Sequence, residues 1–376
     1  MSRTSPGDAP GVRAVTASPA ALGGRVRAAV RTLNPGYLAL VMATGIVSTS
    51  MSKHGAAVVS EVLLWIAAAC YVVLIMLYAW RLAAYRAEVS ADARDPGRSF
   101  GFFTLVAGTE VIGARLAADG QHLAAFGLLA FGCLAWLVLV YVIPWLATLG
   151  GQREPVLASV NGTWFIWAVA TQSVAVLSAT LEPTVQTGRA ALAFLAVFCW
   201  SVGIFLYGAV AVFLAARMLH FGLSPHDVTP PYWVSMGATA ITVVAGAEIV
   251  KMASAPAVDA TRHLVAGASV LFWAFGTWLF PALVAAGVWR HIVHRVPLRY
   301  EAALWAIIFP LGMYSVAGYA LDADDHLPIA RVIGEVEGWF ALAAWAVTFA
   351  AMLAHLYRTV VRPRPELPGA LPDAGP

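Results

Sequence analysis

The chain has 376 residues, of which 60% are hydrophobic and only 11% are charged, and its mean hydropathy is +0.77. A soluble domain cannot cover that much apolar surface, so the composition excludes the soluble classes and indicates an integral membrane protein. The formal net charge of +3 is explained below by membrane topology and predicts no nucleic-acid partner.

Three regions follow one another along the chain. Residues 1–33 are rich in Pro, Gly, Ser, Ala and Arg and hold no apolar stretch of the signal-peptide kind, so we expect a disordered cytoplasmic tail. Residues 34–361 hold about ten apolar runs, each near the roughly 20 residues that a spanning helix needs. Residues 362–376 are expected to form a second disordered cytoplasmic tail. The predicted fold class is all-α, with a ten-helix transmembrane domain.

Odd- and even-numbered runs differ in polarity. A polar side chain is costly in hydrocarbon and normally faces a bundle interior or a watery cavity. The alternation therefore predicts five helical hairpins, with an inner ring of odd helices around a central pore and an outer ring of even helices facing lipid, as in transport proteins. The even runs are almost purely apolar, whereas the odd runs contain Thr44, Ser48, Thr49, Ser50 and Ser52 (run 1), Thr104, Thr109 and Glu110 (run 3), Asn161, Thr163, Thr171, Gln172 and Ser173 (run 5), and Ser235, Thr239, Thr242 and Glu248 (run 7).

The basic residues predict the orientation of the chain. With ten spans, one side of the membrane receives both termini and the connections after runs 2, 4, 6 and 8, and this side holds 17 of the 23 Lys and Arg residues. Because cytoplasmic loops carry the excess of Lys and Arg, both termini are expected in the cytoplasm of a multi-pass protein of the cell membrane.

Glu110 lies within a residue or two of the middle of run 3. A carboxylate at that depth costs roughly 2.5–3.5 kcal/mol unless it is paired, hydrated or protonated. Arg115, five residues further on, lies about 140° away around a helix and is a poor partner. Glu110 is therefore expected to serve a transport pathway or to be satisfied by structural hydrogen bonds.

The other pathway candidates also have structural alternatives. Glu248 has Lys251 at i+3, so it fits either a pathway group or an ion pair near a helix end. Thr171 and Gln172 lie in a polar patch that suits either an anion pathway or hydrogen bonds between helices. The remaining candidates are uncharged: Thr44, Gly45, Thr104, Thr109 and Thr239.

No motif for catalysis or for a bound cofactor is present in the sequence. HExxH, GxSxG and P-loop patterns do not occur, and the three cysteines show no zinc-ligand spacing. The sequence thus predicts no catalytic residue, no metal site and no cofactor. A membrane-embedded enzyme or sensor on the same scaffold stays open as an alternative.

Several motifs together resemble the tellurite-resistance/dicarboxylate transporter family, which includes plant slow-type anion channels. They are the stretches Asn34-Pro-Gly-Tyr and Met42-Ala-Thr-Gly-Ile in run 1, Phe102-Phe-Thr-Leu-Val-Ala-Gly-Thr in run 3, Asn161-Gly-Thr-Trp-Phe-Ile-Trp in run 5 and Trp305-Ala-Ile-Ile-Phe-Pro in run 9. The resemblance covers roughly residues 34–360. It implies a pore inside five inner helices, a homotrimer in which each protomer has its own pore, and an occluding phenylalanine that matches Phe309.

The resemblance leaves the cargo open. Family members carry chloride and nitrate, malate and other dicarboxylates, or sulfite, and the channel members largely lack charged groups at the constriction. Glu110 and Glu248 depart from that pattern and favour proton-linked movement of small organic acids such as C4-dicarboxylates. The alternative is a passive channel for chloride, nitrate or sulfite, gated by Phe309. The expected partners are a small anionic substrate, the lipid bilayer and further copies of the chain.

Overall fold

The computed structural model describes residues 19–149 and 155–361, without the side chains of residues 19–22, 324 and 325. Residues 1–18 of the predicted N-terminal tail and the whole predicted C-terminal tail, residues 362–376, lie outside the described residues. Within the described ranges every regular element is helical. The twelve α-helices are α1 Pro19–Arg31, α2 Ala39–Lys53, α3 Ala57–Ala84, α4 Arg86–Arg94, α5 Thr104–Ala118, α6 His122–Leu149, α7 Phe165–Leu181, α8 Arg189–His220, α9 Val234–Lys251, α10 Pro256–Val288, α11 Trp305–Asp325 and α12 Pro328–Leu356.

The odd runs become α2, α5, α7, α9 and α11, and these five helices close into a ring. Along the chain each one contacts the next, and α11 returns to contact α2. Each also begins with a short 3₁₀ turn, and neighbouring turns touch around the same ring. The inner helices are therefore parallel, with their N-terminal ends on one side of the bundle.

The even runs become α3, α6, α8, α10 and α12, which form an outer ring. Each outer helix pairs with the preceding inner helix as a hairpin and also touches the following inner helix. In the most apolar stretch of each outer helix between 6% and 39% of the residues are buried, against 78% to 83% in α5, α7, α9 and α11. The predicted hairpins, inner ring and outer ring are present.

Nine helices among the described residues are long and apolar enough to cross a membrane. The helix from the first odd run, α2, is the one predicted span that is not among the nine. It has 15 residues, 12 of them buried, and its five hydroxyl side chains lower its hydropathy. It nevertheless contacts both α11 and α5 in the inner ring. Contacts with neighbouring helices shield the hydroxyl side chains of α2 from lipid and so lower the free-energy cost of placing them in the membrane.

Residues 19–31 of the predicted N-terminal tail form helix α1, which corrects the expectation of disorder for these residues. Helix α1 packs on α3, where Arg81 Nε donates to the Arg31 carbonyl at 3.1 Å, and Arg31 also pairs with Glu88 of α4 at 2.7 Å. The Pro- and Ser-rich composition that predicted disorder is concentrated before residue 19, whereas residues 19–31 are rich in the helix formers Ala and Arg.

Candidate functional site

A cavity lies on the axis of the inner ring, at the C-terminal ends of its helices; we call it cavity A. Its volume is about 220 Å³, and all 15 lining residues belong to the five inner helices. One water needs about 10–15 Å³ on this measure, so a hydrated anion or a small organic acid has room. The polar part of the wall consists of Thr49, Lys53, Glu110, Ser173, Thr180 and Glu248.

A second, smaller cavity of about 80 Å³, cavity B, lies at the N-terminal ends of the same helices. Its wall includes Arg98, whose guanidinium pairs with Asp92 at 3.0 Å. Asp92 in turn accepts a 2.6 Å hydrogen bond from the buried Arg81. Residues from all five inner segments contribute to cavity B, so the two cavities share one axis.

A closed segment separates the two cavities. On three inner helices a residue lining cavity B is followed seven positions later by one lining cavity A: Ala39 and Ile46, Ile166 and Ser173, and Ala306 and Met313. Because seven helical residues rise about 10 Å, the segment between the cavities is about 10 Å thick.

Phe309 lies in this closed segment. On α11 it is three residues after Ala306 and four before Met313, so the three side chains share one helix face. Its side chain is 1% exposed, and its ring packs beside Gly237 of α9. The candidate gate residue thus lies, along α11, between the two cavities.

Three of the predicted pathway hydroxyls bond to outer helices. Trp345 Nε1 of α12 donates to Thr44 Oγ1 at 3.0 Å, and Trp136 Nε1 of α6 donates to Thr171 Oγ1 at 2.9 Å. The Thr109 hydroxyl lies 2.9 Å from Tyr71 Oη of α3. Each of these three hydroxyls therefore forms a hydrogen bond with an aromatic side chain of an outer helix. Hydrogen bonding between helices was the structural alternative left open for Thr171.

Four further candidates also make packing or capping contacts. Gln172 Nε2 donates to the Trp200 carbonyl of α8 at 3.1 Å, and Thr239 Oγ1 lies against Gly276 of α10. Both are therefore directed at the outer ring. The other two stabilise the inner ring itself: Thr104 Oγ1 donates to the Gly101 carbonyl at 2.8 Å, and Gly45 lets α2 approach Val111 of α5.

Glu110 is placed differently from the uncharged candidates. It contributes to the wall of cavity A, but its carboxyl lies over Gly132 of α6, where an added Cβ would collide with Oε1. Neither carboxyl oxygen has a hydrogen-bond partner among the described residues. Arg115, the poor partner by helix geometry, instead pairs with Asp119.

Glu248 lines cavity A as well, and its carboxylate pairs with Lys251 Nζ at 3.0 Å. The predicted i+3 ion pair is therefore present at the end of α9. Glu248 is partly exposed, so this pair lies near the mouth of the cavity.

Several residues of the cavity wall were not predicted from the sequence. Lys53 and Thr180 were not singled out, and Thr49 and Ser173 were noted only as part of polar segments. A usable signal existed for two of them, because Thr49 and Lys53 are four residues apart on one helix face. A carboxyl on an outer helix was also not predicted: Glu337 of α12 is 9% exposed, and its Oε2 has no hydrogen-bond partner among the described residues. No cluster of metal-ligating side chains occurs in the described part of the chain.

These features define a helical membrane protein of the channel or transporter class. Residues 32–353 match the family described as SLAC1, voltage-dependent anion channel. The chain belongs to this family, which confirms the resemblance predicted from the motifs. Membrane anion transport is accordingly its function class, and the prediction that the chain is not an enzyme is confirmed by the membership.

Individual relatives agree with this assignment. Over 158 residues the chain is 63% identical to a protein of Mycobacterium tuberculosis (strain H37Rv) named as an uncharacterized membrane protein, a match that covers 42% of this chain and 80% of the relative. Two proteins of Methanocaldococcus jannaschii named as uncharacterized transporters are each 23% identical, over 327 and 336 residues. These matches cover 85% and 87% of this chain and 92% and 96% of the relatives.

Proposed function

We propose that the protein moves small organic-acid anions, C4-dicarboxylates such as succinate and malate, along the axis of the inner ring. The observation that carries this proposal is cavity A, whose 15 lining residues all come from the five inner helices. The cavity ends on the closed segment that contains Phe309. Substrate would occupy cavity A and pass Phe309 when that segment opens.

Proton coupling through Glu110 is the second part of the proposal. Glu110 contributes to the wall of cavity A, and it is 1% exposed. Its carboxyl lies over Gly132 of α6 and has no hydrogen-bond partner among the described residues. A charged carboxylate is costly in such a place. Proton uptake removes that cost and also removes a repulsive charge from the path of an anion. Tyr71, Cys133 and Cys199 are titratable groups near Glu110, and the charged residues Lys53 and Glu248 share the wall of cavity A with it.

A passive channel for chloride, nitrate or sulfite is the second candidate. Phe309 favours it, because a bulky apolar side chain between two cavities is a suitable gate by dewetting. In either case we propose the cell membrane as the location, both termini in the cytoplasm, and a homotrimer. The Lys and Arg asymmetry supports the orientation, and the family resemblance supports the trimer.

The test is a flux panel with purified protein in liposomes. Uptake of succinate, malate, chloride, nitrate and sulfite is measured with and without an inward proton gradient. The proposal predicts uptake of a dicarboxylate that increases when the outside is acidified. Flux of inorganic anions that ignores the proton gradient would favour the passive channel, and the absence of flux for all five anions would overturn both candidates.

A further inference from the structure

Lys53 is the last residue of α2, and its side chain lines cavity A. Among the described residues its ammonium makes no ion pair and no hydrogen bond. The neighbouring His54 is engaged elsewhere: its ring nitrogens lie 2.8 Å from the Ser50 carbonyl oxygen and 2.9 Å from that of Glu335 on α12. The cation at this end of α2 is therefore free to meet a ligand in the cavity.

The other polar groups of the cavity wall cannot replace this ammonium for an anion. The hydroxyls of Thr49, Ser173 and Thr180 donate to carbonyls of their own helices at 3.1, 2.7 and 2.9 Å. A hydroxyl proton used in this way is not available to an anion. The two carboxyls, Glu110 and Glu248, add negative charge, and the cation of Lys251 is already paired with Glu248 at 3.0 Å. Among the described residues, Lys53 is the one cation in the wall of cavity A.

We propose that Lys53 forms a binding subsite in cavity A for a carboxylate of the transported anion. This inference deepens the proposed function and rests on it. The ammonium donates charge-assisted hydrogen bonds to the carboxylate, which are stronger than bonds between neutral groups. Lys53 thus fixes the sign of the charge that cavity A accepts, while the closed segment at Phe309 controls passage.

The chain permits a direct binding test because Lys53 and Lys251 are its two lysines. The Lys251→Arg variant leaves Lys53 as the one lysine, and the Lys53→Arg variant leaves Lys251 as the matched control near the same cavity. Each purified variant is treated with a water-soluble acylating reagent, and the modified lysine is quantified by mass spectrometry. Succinate is titrated at constant ionic strength.

Succinate at roughly ten times its dissociation constant should slow acylation of Lys53 about tenfold by mass action. Lys251 should react at an unchanged rate. Equal protection of both lysines would show that succinate screens charge and does not bind at a specific site. Acylation of Lys53 at an unchanged rate would show that its ammonium does not bind the anion. Either result would overturn the proposal.

Liposome flux separates this inference from the proposed function. Lys53→Gln should raise the half-saturation concentration of succinate roughly tenfold, since a bond to a charged group is lost, whereas Lys53→Arg should restore it. Protection of Lys53 in a protein that moves no anion would refute the transport proposal and leave the subsite standing. Normal succinate flux in Lys53→Gln, with no protection of Lys53, would refute the subsite alone.

Discussion

The ring of Phe309 on α11 lies directly beside Gly237 on α9. A Cβ added to Gly237 would approach Phe309 Cε1 to 3.1 Å and the Pro310 ring to 2.9 Å. The two inner helices α9 and α11 can therefore approach each other closely at this level, because Gly237 has no side chain. The contact lies between cavity A and cavity B, so changes to Phe309 should act on passage.

Replacement of Phe309 by Ala is expected to raise basal anion flux, because loss of the ring removes apolar bulk between the two cavities. The measurement is chloride and succinate efflux from liposomes without a gradient of protons. Phe165→Ala is the matched control: Phe165 is also buried, but its ring packs on Tyr207 of the outer helix α8.

Both phenylalanine variants should lose about 3–5 kcal/mol of stability, the range typical of Phe→Ala in soluble cores. The control should lose it without a leak. A folded Phe309→Ala protein whose flux equals or falls below that of the unmodified protein would contradict the gate assignment and assign Phe309 to packing.

Glu110→Gln should abolish the dependence of dicarboxylate uptake on external pH. In the unmodified protein uptake should increase as the external pH falls, because proton uptake by Glu110 neutralises a charge beside the anion pathway. Glutamine is permanently neutral, so the variant should transport at one rate across the pH range. Uptake that still increases on acidification in Glu110→Gln would assign the coupling to another group.

The contact between Glu110 and Gly132 predicts a coupled pair of substitutions. In Gly132→Ala the new methyl group collides with the carboxyl, so this variant should be destabilised by the 1–3 kcal/mol typical of overpacking. Glu110→Ala removes the carboxyl and should relieve the collision when the two changes are combined. Thermal denaturation of the four proteins in the cycle measures this coupling, and strictly additive losses would place the carboxyl away from α6.

Thr171 and Ser173 should respond differently to loss of their hydroxyls. Thr171→Val removes the acceptor for Trp136 Nε1, so it should lower stability by about 0.6–1.7 kcal/mol, as for other bonds between membrane helices. The half-saturation concentration of succinate should not change. Ser173→Ala alters the wall of cavity A and should change that concentration with little loss of stability. The opposite pattern in denaturation and flux assays would reverse the two roles.

Much of the architecture could be predicted from the sequence because the number, the length and the polarity of the helices all depend on amino-acid composition. Long apolar runs give helices, and the polarity of alternate runs separates α2, α5, α7, α9 and α11 from their outer partners. The i+3 pair of Glu248 and Lys251 followed from helix geometry alone. The helix at residues 19–31 was missed because average composition over 33 residues hid a local stretch of helix formers.

The sequence by itself determined the inner and outer helices and the family, whereas only the tertiary structure decided which side of each inner helix faces the axis. An inner helix is buried on nearly all sides, so a hydroxyl that bonds to an outer helix has the same sequence context as one that lines a cavity. Thr171 and Ser173 are two residues apart, yet the first meets Trp136 and the second lines cavity A. Closure of the five-helix ring fixes the rotation of each helix about its own axis, and this rotation is a property of the packed ring that no single segment encodes.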